Sequence, residues 1–208
     1  MKNNDPFDMA GWSREGITEP LKVVSEIFSY MDIEEWRRVI KKITIYALSG
    51  KTYRRRAPGD VLVDMKVVRS ALIVAHALQD ITGRDFEATK QDLLYPWQYC
   101  TGMGTLNHWG DFPRNVSFKE YCDPYRVFKK LFKKRPLSEW ITDWEKLVEV
   151  ALSPYALDGE LPVLHTHTGL LKLLEAAHLV WIRDGDGGFA KRHAAQQPEE
   201  QRKTALTS

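Results

Sequence analysis

Apolar residues recur at three- and four-residue intervals through most of this chain. Leu21, Val24, Ile27 and Phe28 fall on one side of a helix at that spacing. Thr18, Glu19 and Pro20 precede them: a capping hydroxyl, an acid and a proline suited to a first turn. A helix is therefore predicted to begin near Thr18. A second is predicted from Asp32 to about Leu48, with Trp36, Val39, Ile40, Ile43 and Ala47 on its apolar side and Ser49-Gly50 as its stop. Residues 51–60, KTYRRRAPGD, read as a loop. The run VLVDMKVVRSALIVAHALQDIT is apolar on nearly every side and is expected to be the central buried helix, ended by Gly83. Its valine-rich first half also fits a strand, because periodicity alone does not separate the two.

A short helix is expected at 84–94, then a long irregular segment at 95–115, YPWQYCTGMGTLNHWGDFPRN, pinned to the body by its aromatics. A basic helix follows from Ser117 to Lys134, ended by Pro136. Ser138 is placed to cap another helix, whose apolar stripe is Trp140, Ile141, Trp144, Leu147, Val148 and Ala151. Residues 153–165, broken by Pro154, Gly159 and Pro162, read as a connection, and the last helix as Thr168 to Ile182. Past Arg183 the sequence is polar, Gly-rich and aperiodic, so a mobile tail is expected. The expected fold class is all-α: one compact bundle of about six to seven helices over 17–183, a polar lead-in at 1–16 and a tail at 184–208.

A chain of 208 residues can bury a core without disulfides or metal. Its two cysteines, Cys100 and Cys122, cannot form a disulfide framework, which points to a reducing compartment. No run approaches 18 apolar residues, and the opening MKNNDPFDMAGW has no apolar core of signal-peptide kind. The expected localisation is cytoplasmic, with no membrane partner.

Charge changes this plain picture. The net charge is only +2, but its distribution is uneven. Arg37 to Gly59 carries eight basic residues and no acid; Tyr125 to Arg135 carries six and no acid. On a helical wheel Arg126, Lys129, Lys130, Lys133 and Lys134 share one face, opposite Val127, Phe128, Leu131 and Phe132. Five like charges on one face repel each other, so a binding role is the natural reading. In the earlier tract Arg37, Arg38, Lys41 and Lys42 also share a face, but Glu34 and Glu35 border it, as on an ordinary salt-bridged surface. In the loop, Arg54, Arg55 and Arg56 offer guanidinium forks for phosphate, and Tyr53 a ring to stack on a base. The expected partner is DNA or RNA, held mainly through phosphates by one surface combining the loop and the later helix. An acidic protein partner, with the chain as a subunit of an assembly, is the alternative.

Candidate chemistry is sparse, and no cofactor is expected. There is no Walker lysine motif, no HExxH, no Gly-x-Ser-x-Gly and no dinucleotide fingerprint. His165 and His167, read as lying in the connection, with Glu175 and His178, are secondary metal candidates. Glu175 and His178 have the Glu-x-x-His spacing of di-iron bundles, but those need it twice. His178 follows Leu171 and Leu174 at helical spacing, as a half-buried histidine would. Cys100, His108 and Cys122 match no zinc spacing. Arg69 and His76 project from one side of the central helix. An Arg-x4-6-His pair resembles the catalytic pattern of the HEPN ribonucleases. The resemblance rests on these two residues. It implies a helical domain whose Arg and His act together on the RNA phosphodiester, usually across a dimer.

Overall fold

The computed structural model describes residues 19–80, 99–100, 108–156 and 162–185, and these form seven α-helices packed into one bundle, without strands. The helices are α1 (Pro20–Tyr30), α2 (Ile33–Ser49), α3 (Pro58–Leu78), α4 (Phe118–Cys122), α5 (Tyr125–Lys134), α6 (Leu137–Leu152) and α7 (Val163–Arg183). The short helix expected at 84–94, the lead-in, most of the C-terminal tail and part of the irregular segment lie outside the described residues. No described helix is long and apolar enough to cross a membrane.

Helix α2 follows its sequence signals closely. The Asp32 carboxylate accepts the backbone N–H of Glu35 at 2.7 Å, and Gly50 takes the left-handed conformation at φ 63°. Its whole predicted apolar stripe is buried. Helix α3, expected to be central, packs against α1, α5, α6 and α7, but the helix that meets all six other described helices is α7. Helix α3 starts a turn before the apolar run, because Pro58 at its first turn loses no helical hydrogen bond.

Further expected boundaries change. Ser138 does not cap α6: the helix starts at Leu137 with Pro136 at its N-cap, and Ser138 lies inside the first turn. The basic helix is not continuous from Ser117: Asp123-Pro124 divides it into α4 and α5. A residue before proline is crowded out of the α region, and Asp123 sits at φ −132°, ψ 88°. The Ser117–Glu120 capping box then serves the one-turn α4. At the other end α7 begins at Val163, just after Pro162, so His165 and His167 are helical and not in a connection. Val163 and Thr166 are both buried, and this burial carries the helix back over polar positions. Gly169 is required where α7 meets α6, since a Cβ there would run into the Trp140 ring.

Candidate nucleic-acid interface

Helix α5 is strongly two-sided. Val127, Phe128 and Leu131 are buried, while Arg126, Lys129, Lys130, Lys133 and Lys134 are exposed. The fold supplies acids that the linear tract lacks. Asp123 pairs with Arg126 at 2.9 Å. Glu120, buried on α4, accepts Lys130 at 3.0 Å and Lys172 of α7 at 2.8 Å. Burial opposes ionisation of Glu120, but hydrogen bonds from Lys172, Ser117 and Lys130 outweigh it and hold its pKa at about 2. Lys129, Lys133 and Lys134 have no ion pair among the described residues. Lys172 therefore joins this face, a residue that no linear reading of α5 could supply.

The earlier tract is dispersed. Arg37 does not lie on the surface face with Lys41 and Lys42 as expected. Its side chain is only 10% exposed and its Nε donates to Glu175 Oε1 at 2.8 Å, with Glu175 1% exposed. Arg37 also donates to the carbonyls of Gly110 and Phe112, while Glu175 accepts the backbone N–H groups of Arg114 and Asn115. The irregular segment is thus fastened by a buried ion pair as well as by Tyr99 and Phe112, which cluster with Tyr121 and Leu179. Arg38 is paired by Glu34 at 2.7 Å and Glu35 at 2.6 Å, as the sequence suggested.

In the loop, Arg54 and Arg55 are exposed, but Arg56 is paired with the buried Asp64 at 2.6 Å. Tyr53 is 3% exposed and packs edge-on against Tyr46, so its ring belongs to the core and is not presented for stacking on a base. The loop and α5 are not neighbours. The loop enters α3 at Pro58, whereas Phe132 of α5 packs edge-on against His76 near the other end of α3. Pro58 and His76 are about 27 Å apart along the axis at ~1.5 Å per residue.

Among the described residues no three His, Cys, Asp or Glu side chains gather to hold a metal. His165 stacks on Trp140 at 5.3 Å and His167 Nδ1 meets Thr44 Oγ1 at 3.0 Å. His178 is fully buried rather than half-buried, between the rings of Phe28 and Trp181. Burial, then the charge of Arg37, pushes its pKa down to about 3, so it is a neutral core residue. It lies about 16 Å along α7 from His167 at ~1.5 Å per residue. Cys100 and Cys122 are not joined in a disulfide, and the side chain of His108 lies outside the described residues. Arg69 pairs with Glu145 of α6 at 3.4 Å.

Sequence reasoning missed the buried acids Asp64, Glu120 and Asp143, which pair with Arg56, Lys130 and Arg135, and read Glu175 as a metal candidate where it is the partner of Arg37. Three carry a signal in retrospect. Asp64, Asp143 and Glu175 interrupt apolar stripes, in VLVDMKVV, EWITDWEKL and LLEAAHLV, and a buried acid demands a cation. Comparison with known protein families, with curated proteins and with solved structures gives no match.

Proposed function

We propose that this protein binds DNA or RNA through phosphates, using the exposed face of α5. One observation carries the reading: Lys129, Lys133 and Lys134 stand together without an ion pair among the described residues, and Lys130 and Lys172 share a single carboxylate beside them. Such a face repels itself and is relieved by an anionic polymer. Three phosphate contacts would give log K against log salt a slope of about −3 on duplex DNA. Titrating labelled DNA and RNA over a salt series tests this. A Lys129→Glu/Lys133→Glu/Lys134→Glu variant that folds and binds as well as wild type removes the reading. Binding to polyglutamate but to neither nucleic acid replaces it with the acidic-protein reading.

A second reading, cleavage of bound RNA by Arg69 and His76, is favoured by the contact of His76 with Phe132, which brings it to the border of the cationic helix. RNA degradation that is equal in wild type and His76→Ala, or absent from both, ends it.

A further inference from the structure

The arginine loop borders a cavity of about 550 Å³ lined by residues 52–58 and Leu152. That volume falls within the range of small-molecule sites, roughly 300–1,000 Å³, and is more than a bare inorganic anion needs. Arg54, Arg55 and Arg56 all line it. The first two are exposed and have no ion pair among the described residues. Arg56 is held differently. Its Nη1 donates to Asp64 Oδ2 at 2.6 Å, and the other Asp64 oxygen accepts the Tyr30 hydroxyl at 3.1 Å. This chain of contacts fixes one edge of the guanidinium from behind. The guanidinium is also within hydrogen-bonding reach of the Tyr30 hydroxyl, yet the Arg56 side chain stays 29% exposed where it lines the cavity.

A planar fork already fixed on one edge presents its remaining N–H groups with less ordering to lose on binding. Phosphate oxygens accept from such a fork in a bidentate way. The wall holds three arginines and no carboxylate, and only Arg56 is paired, with Asp64 behind it, so positive charge is in excess there; Pro58 and Leu152 add apolar surface for an uncharged portion.

We propose that this cavity binds a small phosphate ester of nucleotide size, with its phosphates on Arg54, Arg55 and the open edge of Arg56. The site is separate from the α5 face, shares no residue with it and stands or falls independently of the polynucleotide reading. Phosphates presented by a polynucleotide share this chemistry, so the experiment separates the two sources.

The test is isothermal titration calorimetry of the full chain with ADP, with inorganic pyrophosphate and with a 5′-phosphorylated oligonucleotide at low salt. ADP is expected to bind more tightly than pyrophosphate. Arg54→Ala/Arg55→Ala, both exposed positions, is expected to weaken ADP by at least about tenfold. Arg56→Lys keeps the charge, loses the fork and is expected to weaken it several-fold. Lys129→Glu/Lys133→Glu/Lys134→Glu should leave ADP affinity unchanged, whatever it does to the oligonucleotide. ADP affinity that is undetectable in wild type, or unaltered in the double arginine variant, overturns the proposal. So does a result in which only the oligonucleotide depends on Arg54 and Arg55, since the loop then belongs to a polymer path.

Discussion

The two basic tracts are both rich in cations and free of acids, but the first holds five arginines and three lysines and the second two arginines and four lysines, and the fold treats the two kinds of cation differently. In the tract from Arg37 to Gly59, Arg37 and Arg56 are drawn to buried carboxylates on distant or neighbouring helices, and Arg38 is covered by two glutamates of its own helix. In the tract from Tyr125 to Arg135, the arginines at its two ends are paired, and the lysines between them remain outward apart from the Lys130–Glu120 contact. The division follows side-chain chemistry. A guanidinium is weakly hydrated and bonds several acceptors at once, so it suits a buried pair. An ammonium is strongly hydrated and stays in water. Absence of acids along a stretch of sequence is therefore a better guide to free surface charge where the cations are lysines.

The largest effect expected from this contrast is at Glu175. Truncating it to alanine leaves Arg37 buried without its counter-charge and strips acceptors from Arg114 and Asn115. Loss of one partner of a buried pair costs about 3–5 kcal/mol, and urea unfolding should show a loss of that size. Replacing Lys129, Lys133 and Lys134 together by glutamine should cost little stability by the same measurement, because relief of their mutual repulsion offsets the lost dipole interaction of Lys133 and Lys134 in the last turn. If the two variants are equally destabilised, the contrast between the tracts is false.

Acid should come next. His178, with its pKa near 3, stays neutral in the folded chain where an unfolded histidine would take a proton. Stability is therefore lost as pH falls below about 6.5. Asp64 acts in the other direction. Burial, opposed by Arg56, raises its pKa to about 6, so its folded carboxyl binds a proton that the unfolded one releases, and stability rises as pH falls from about 6 towards 3.8. The histidine shift is the larger, and Glu120, held near 2, adds a further loss below about 4.5. Net acid destabilisation is expected. His178→Phe should move the acid unfolding midpoint to lower pH, and Asp64→Asn should make the loss of stability between pH 6 and 4 steeper. Circular dichroism across a pH series reads both.

Much of the fold was legible because helical periodicity and caps are local. Asp32, Gly50 and the Trp36–Ala47 stripe needed no tertiary information. What escaped the sequence was non-local. Glu175 contacts Arg37 across most of the chain, so the same glutamate could be read as half of a metal motif. Tyr53 next to three arginines resembled a stacking platform until the backbone bond from its N–H to Ala151, at 2.7 Å, placed it under α6. The division at Pro124 was visible in the sequence, but the cationic face begins only at Arg126, beyond the break, and so did not register it. The face of α5 was readable because its amphipathic pattern is complete within ten residues; its distance from the arginine loop was not, since that depends on where each meets α3.

The smallest expected effect is at Arg38, and it sharpens the contrast because Arg37 is its immediate neighbour. Arg38 has two acidic partners at 2.6 and 2.7 Å, so a distance list would rank it with the strongest pairs in the protein. Its side chain is 54% exposed, however, and water and salt screen both contacts. Exposed pairs of this geometry contribute little to stability. Arg38→Ala should therefore shift the urea midpoint only slightly, and added salt should erase the shift. Arg37→Ala, one position earlier, should cost several times more and be little affected by salt, because it strands Glu175 in the core. Equal and salt-sensitive losses at the two positions would mean that the Arg37–Glu175 pair is solvated, and that the earlier tract is surface charge after all.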